Sequence, residues 1–312
     1  MTLNEIPLGF SRTCVIVFGL LWGSFLNVVI YRVPRELSIV RPRSRCPACE
    51  APIAAYDNVP VLSYLILRGR ARCCGAKVSP RYPLVEVLAA ALSLAIFELL
   101  VRPLHADSSL GTAAIVYLVD LTLGLGLLAA AFIDAEYMYL PDPITLGGAL
   151  LGIVTAPYRG SSYLESGISA AVAFVGIWLP FHVIYKAVRG RAGIGLGDAK
   201  LLALAAAWFG IFPATLFVLF AGSIQGALWA GVVYLVRGRI DEPQAVKEDR
   251  EELQRAAAEG DEEARALLKE DPLGEAPEGI GQAPIAFGPF LILGILEYLF
   301  LGDLLMEWIL GT

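Results

Sequence analysis

Hydrophobic and polar positions in this chain fall into long blocks rather than the short periods of a soluble domain. Cys14–Tyr31 runs for 18 positions without a charged residue, and Leu201–Val236 for 36. A helix of ~20 apolar residues is long enough to cross a bilayer, so several such blocks place the chain in a membrane. The pattern predicts eight spans, at about 13–32, 83–101, 111–133, 143–158, 167–186, 199–211, 214–236 and 284–302. The 36-residue block is the ambiguous one, since it suits one tilted helix or two short ones. Gly210 and Pro213 in WFGIFPAT predict a break there. The first block has only Arg12 ahead of it and no small-x-small exit, so it reads as a retained anchor. The fold class expected is an all-α membrane protein: a polytopic bundle of about eight transmembrane helices with a small cytoplasmic Cys-containing loop domain. Its parts are expected at 1–33 (first anchor), 34–82 (Cys-containing loop), 83–236 (membrane core), 237–283 (acidic insertion) and 284–312 (last helix and C-terminus).

Charge then orients the bundle. With the break, 21 of the 24 Lys and Arg residues lie on one side of the membrane, leaving Arg12, Arg102 and Arg159 on the other. Positive charge gathers on the cytoplasmic side, which puts the loops 34–82, 134–142, 187–198 and 237–283 there and both termini outside. At 57% hydrophobic and 17% charged, the composition agrees with a membrane class. The net charge of −6 is local: 237–283 holds 14 acidic and 7 basic residues, and the rest of the chain is nearly neutral. Within it, DREELQRAAAEGDEEARALLKED predicts two short helices meeting at Glu259-Gly260-Asp261.

Two groups of residues carry chemistry. Cys46 and Cys49 form a C-x2-C knuckle, and adjacent Cys73 and Cys74 follow in the same loop. Four thiolates are the ligand set of a structural zinc, and a cytoplasmic loop is reducing, which disfavours disulfides. Ala71 stands where a regular C-x2-C would place the partner of Cys74. A metal clip completed by Cys73 and an unmetallated turn are both open on this pattern. Cys14 lies in the first span and reads as ordinary packing.

Acidic residues are costly at bilayer depth and mark functional sites. They are Glu86, Glu98, Asp120, Asp134, Asp142, Asp198, Glu297 and Asp303. Asp134 ends the third span at its cytoplasmic side and Asp198 opens the sixth from that side, so both sit near one leaflet. Two carboxylates in one poorly hydrated site would share a proton, as in aspartic-protease chemistry. The bland alternative makes Asp134 and Asp142 helix-boundary residues, and Asp198 an acid favoured at a helix N-terminus. Asp120 is about 21 Å of helix from Asp134, too far to join a pair. Gly193-Ile-Gly-Leu-Gly197 has no strand ahead of it, so it is no phosphate loop. Gly195 and Gly197 more simply allow close approach to Asp198. With His105 on the outer side and His182 in a span, a histidine triad is excluded.

GSFLNVVIYRVP at 23–34, RCPAC at 45–49, SPRYPLVE at 79–86, IDAEYMYLPD at 133–142, GLGDAKLLA at 195–203 and PIAFGPFL at 284–291 occur in an order that resembles the type IV prepilin peptidases. The resemblance covers nearly the whole chain. It implies an intramembrane aspartic endopeptidase that cleaves the basic leader of a prepilin or pseudopilin at a Gly–Phe bond. It also implies methylation of the new N-terminus with S-adenosylmethionine, in the bacterial inner membrane with the active site near the cytoplasmic face. Asp134 and Asp198 would be the catalytic pair, with Asp142, Lys200, Gly195 and Gly197 auxiliary to them. Cys46, Cys49, Cys73 and Cys74 would hold the zinc. The chain departs from the family pattern in its compressed second cysteine pair and its long acidic loop. Two rival functions remain at this level. One is a proton-coupled transporter using Asp120, Asp134 and Asp198; the other is a non-catalytic assembly factor that docks partners through its two loops.

Overall fold

The computed structural model describes residues 5–104, 108–189, 194–270 and 285–310. His105, Gly193, residues 271–284 of the acidic insertion and the Asp303 side chain lie outside what is described. Every long element among the described residues is helical, and the only strand-like pairings are two isolated bridges in the cysteine loop. The chain divides into two compact units, Met1–Ala129 and Ala130–Thr312.

In the first unit, α1 (Leu8–Arg32) runs antiparallel to α3 (Arg81–Ile96). Their register follows from small residues. Cβ atoms added at Gly19 and Gly23 would come within 2.7 Å of the Ala90 and Glu86 Cα atoms, so this G-x3-G face lets the two backbones touch. Polar groups clamp the seam along its length. The Ser93 hydroxyl donates to the Val15 carbonyl, and Asn27 Nδ2 donates to the Tyr82 carbonyl at 3.1 Å. At one end, Arg12 and Arg102 both pair with Glu98, Arg12 at 2.6 Å. Cys14 is exposed on α1 rather than packed within the chain. Between the two helices the loop carries a five-residue helix, α2 (Leu62–Ile66). Helix α4 (Leu110–Tyr137) begins in this unit and ends in the next.

The second unit is built around α8 (Leu196–Phe209), apolar on all sides and buried almost without a break from Ala199 to Trp208. Helix α5 (Asp142–Thr155) meets it through Gly148 and Gly152, where added Cβ atoms would strike Leu204 and Trp208. Helix α6 (Tyr163–Trp178) meets it through Ser166, whose hydroxyl donates to the Ala207 carbonyl at 2.5 Å. Arg159 closes the ends of α5 and α8 together. Its guanidinium donates to the carbonyls of Gly152, Ala207 and Trp208 and to Thr155 Oγ1, and lies 4.4 Å from the Trp208 ring centroid. A cation on the last carbonyls of a helix is favoured by both hydrogen bonding and the helix dipole. A short helix, α7 (Tyr185–Arg189), follows α6. Helix α9 (Leu216–Arg237) packs on α12 (Gly288–Leu310) through Gly222 and Gly294, and Gln225 Nε2 donates to both Glu297 oxygens at 2.8 Å.

The predicted break is present. Helix α8 stops at Phe209, Gly210 takes φ +82°, and Phe212 is extended before α9 begins. Gly tolerates that left-handed φ at no steric cost. The acidic insertion folds as the predicted pair, α10 (Gln244–Glu259) and α11 (Glu262–Glu270). Gly260 turns the chain at φ +108°, and Asp261 Oδ1 accepts the Glu263 and Ala264 N–H groups as an N-cap.

Fewer than the eight expected segments reach the length of a full span among the described residues. All eight predicted segments are apolar helices, but among the described residues five are long and apolar enough to cross a membrane: Leu8–Arg35, Arg81–Val101, Leu110–Tyr137, Tyr163–Val188 and Ile211–Arg237. Helices α5 and α8 have 14 residues each. At 1.5 Å per residue that is ~21 Å, short of the ~30 Å hydrocarbon core. Length accounts for α5 and α8, while α12 contributes a shorter apolar stretch, Gly288–Gly302, among the described residues. The multi-pass helical membrane class stands.

Candidate active site and metal centre

The acidic site grows from three helix ends within the second unit. Helix α4 delivers Asp134 in its last turn, then terminates as Met138 adopts φ +52° with its N–H on the Asp134 carbonyl. The chain passes through Leu140 to Pro141, which caps α5 and places Asp142 in its first turn. From the opposite direction in sequence, Gly195 caps α8 and Asp198 is the third residue of that helix. A side chain at this position can reach back to the cap, and the Asp198 carboxylate does so, engaging the Gly195 backbone. The third contribution comes from the start of α12, where the Gly288 N–H donates to Asp134 Oδ2 at 3.0 Å.

These parts meet through glycine. Cβ atoms added at Gly197 and Gly288 would lie 3.0 and 3.2 Å from Leu140, so that buried side chain sits where α8 and α12 converge. A Cβ at Gly195 would lie 3.1 Å from Asp198 Oδ2. Asp134 is 5% exposed, and Asp198 is half-buried. The two carboxyl groups lie close enough to act on each other electrostatically, although 64 positions separate them. Beside them Lys200 Nζ pairs with Asp142 Oδ1 at 2.5 Å, tying α8 to α5. The arrangement can hold one ionised and one protonated carboxyl against a water molecule.

The cysteine loop of the first unit folds into two matching turns. An Arg45–Pro52 bridge encloses CPACEA, and an Arg70–Lys77 bridge encloses ARCCGA. The Cys46 and Ala71 N–H groups donate to Ala51 and Ala76. The Glu50 and Gly75 N–H groups donate back to Cys46 and Ala71. Both Glu50 and Gly75 have positive φ, +57° and +71°. Cys49 and Cys74 therefore occupy equivalent places, while Ala71 takes the place of Cys46. Cys73 supplies the missing sulfur from one position earlier. All four Sγ atoms lie within 4.8 Å of one another, with Cys46–Cys74 at 3.7, Cys49–Cys73 at 3.3 and Cys73–Cys74 at 3.9 Å. Zinc–sulfur bonds of ~2.3 Å at tetrahedral angles put sulfurs about 3.8 Å apart. The four cysteines thus fit a metal ion, and adjacency does not keep Cys73 and Cys74 apart from a shared one. Backbone N–H groups of Ala48 and Cys49 lower the Cys46 thiol to about 7. Cys73 is pushed up to about 12, chiefly by the hydrogen bond it shares with Cys49.

Residues 17–99 match the bacterial Peptidase A24 N-terminal domain, and residues 121–231 match the type IV leader peptidase family. Proteins named prepilin leader peptidase/N-methyltransferase are similar over most of the chain. The one from Neisseria gonorrhoeae is 37% identical over 74% of this chain and 85% of its own. That from Dichelobacter nodosus is 37% identical over 76% and 87%, and that from Myxococcus xanthus 40% identical over 77% and 69%. This chain belongs to the prepilin leader peptidase/N-methyltransferase family. No solved structure matches it.

Within this leader peptidase fold the structure brings Asp134, Asp198, Asp142, Lys200, Gly195 and Gly197 to one place. Asp120 stays half-buried higher on α4, and Glu297 is taken up by Gln225. Glu86 binds the loop rather than the acidic site, its Oε2 accepting the Val61 N–H at 2.7 Å. Sequence reasoning missed Gly288. Its motif, PIAFGPFL, was in view, but nothing local says that a glycine 154 positions away donates to Asp134. A Cβ at Gly288 would stand 2.6 Å from Asp134 Oδ2, closer than real Cβ contacts come. Gly288→Ala is accordingly expected to lower kcat by about 10- to 100-fold, as when one oriented hydrogen bond in an active site is lost. Membrane expression should be unchanged. Cleavage kinetics of the purified variant check this, and near-normal turnover would show that the contact is dispensable.

Proposed function

We propose that this protein cleaves the basic leader of prepilins or pseudopilins after glycine, at a Gly–Phe bond, using Asp134 and Asp198 to activate water. The observation that carries this is that Asp134 and Asp198, at the ends of α4 and α8, lie within electrostatic reach of each other beside a backbone donor from α12. The ionised carboxyl takes a proton from water as the oxygen attacks the scissile carbonyl. Its protonated partner hydrogen-bonds the carbonyl oxygen, where negative charge develops. Collapse of the tetrahedral species returns that proton to the leaving amine. The Gly288 N–H holds Asp134 Oδ2, leaving the other oxygen for water or the shared proton. Helices too short to span the bilayer suit a site that water reaches from one face. The family resemblance makes that face the cytoplasmic side of a bacterial inner membrane, in keeping with the basic loop 34–82.

Incubating the purified protein with a prepilin and analysing the products by mass spectrometry tests this. Cleavage after glycine is expected, and an intact prepilin would refute it. The relatives are named N-methyltransferases as well, and the family resemblance makes the second activity methylation of the new N-terminal amine with S-adenosylmethionine as donor. The groove beside the cysteine turns is lined by Arg68, Arg70 and Lys77. That lining does not fit a donor whose sulfonium is itself cationic. Zinc in the cysteine cluster would hold the two turns together and supply no chemistry to peptide cleavage.

The acidic insertion is read as an electrostatic attractor for the basic leader. Fourteen acids against seven bases face the compartment where that leader arrives. Opposite charge near a site raises encounter rates, and salt screens it with a Debye length of ~8 Å at physiological strength. Deleting 241–278 with a short Gly/Ser bridge is expected to lower kcat/KM at low salt and change little at high salt. Steady-state kinetics across ionic strength check it. An unchanged salt dependence would leave the helical pair with no part in catalysis.

A further inference from the structure

Helix α2 lies where soluble and membrane parts of the first unit meet, and its exposed face is apolar. Leu62, Leu65 and Ile66 are 57, 63 and 74% exposed. Three such residues on five positions would be unfavourable in water. Their depth is set by a partly buried contact. The Val61 N–H, immediately before α2, is held by Glu86, five residues inside the span that opens at Arg81. Val61 takes φ +60°, a conformation a β-branched residue adopts only under constraint. Glu86 therefore draws the start of α2 down to the level of the first turns of α3.

A groove of about 470 Å³ opens directly after α2, with Tyr64, Arg68, Arg70 and Lys77 among its walls. Ser79 and Pro80, the two residues preceding the span, also line it. It thus lies at headgroup depth. Arg68, Arg70 and Lys77 are exposed, and among the described residues none of the three is in an ion pair. Arg70 Nη1 donates to the Gly75 carbonyl at 3.4 Å, which steadies it without neutralising it.

We propose that α2 and this groove form a docking site for an anionic phospholipid of the surrounding bilayer. The lipid phosphate sits among Arg68, Arg70 and Lys77, and its acyl chains lie against Leu62, Leu65 and Ile66. Three positive charges beside a membrane entry point complement an anionic headgroup, and an apolar helix face beside them complements the chains. The bilayer thereby holds the cysteine turns, whose second bridge joins Arg70 to Lys77, at the membrane surface.

The test uses the full-length protein in nanodiscs of phosphatidylcholine, with or without phosphatidylglycerol, and follows hydrogen exchange over 61–70. Anionic discs are expected to slow exchange by about fivefold or more, roughly the factor one basic residue near an anionic surface supplies. Arg68→Gln/Arg70→Gln/Lys77→Gln should erase the difference. Inorganic phosphate added to neutral discs should not reproduce the protection. Equal exchange in the two lipids would overturn the proposal, and so would equal protection by inorganic phosphate. A second arm does not depend on the triple variant folding. An added tryptophan in Ile66→Trp should be quenched by brominated acyl chains beyond the wild-type signal, and absence of that extra quenching would equally overturn the proposal.

Discussion

Asp134→Asn and Asp198→Asn are each expected to leave a protein that inserts and accumulates normally but cleaves prepilin at least about 10³-fold more slowly. Asn keeps the size of Asp and can still accept the Gly288 N–H, so the fold is not the variable. What it removes is the ability to take or give a proton. A pair that works by sharing one proton fails when either member is lost, so the double variant should be little worse than either single one. Asp142→Ala should behave differently. Its partner is Lys200, and the Asp142 side chain is 53% exposed, so losing the pair should cost less than about tenfold. Turnover by mass spectrometry on purified variants gives all four values. Near wild-type cleavage by either single Asn variant would show that the dyad is misassigned. A proton-coupled transporter would also need Asp120, and the helix between it and Asp134 is about 21 Å long.

Removing the metal should affect fold more than chemistry. The full-length protein is expected to carry about one zinc per chain. Cys46→Ser/Cys49→Ser should lose it and expose 34–82 to proteolysis, because a structural metal contributes folding free energy directly. Peptidase activity should fall by less than in the aspartate variants. The paired turns allow a sharper form of the test. Cys73→Ser alone should weaken zinc binding. Cys73→Ser with Ala71→Cys should restore it, since Ala71 occupies the place in the second turn that Cys46 holds in the first. Metal analysis of protein prepared without chelator checks each variant. Absence of zinc from the wild type would reject the metal, and failure of the double variant to rebind it would reject the equivalence of the turns.

Much of this protein was determined by order along the chain. Uncharged blocks require helices in a bilayer, because backbone polar groups there must be satisfied within the segment. Gly210 and Pro213 had to interrupt the longest block, and Gly260 had to turn the acidic pair, since each conformation follows from one residue's own sterics. Asp134 and Asp198 were legible because an acid at the end of an apolar run is expensive wherever the chain goes. Tertiary structure alone decided the rest. That α5 and α8 stop short of a full span depends on where neighbouring helices bury their ends, as Arg159 does on four acceptors at once. Gly288 became a donor to Asp134 only when the start of α12 met the last turns of α4. Cys73 came to lie 3.3 Å from Cys49 because two turns with matching hydrogen bonds, 25 positions apart, faced each other. Such contacts depend on distances between segments remote in sequence, and no local propensity encodes them.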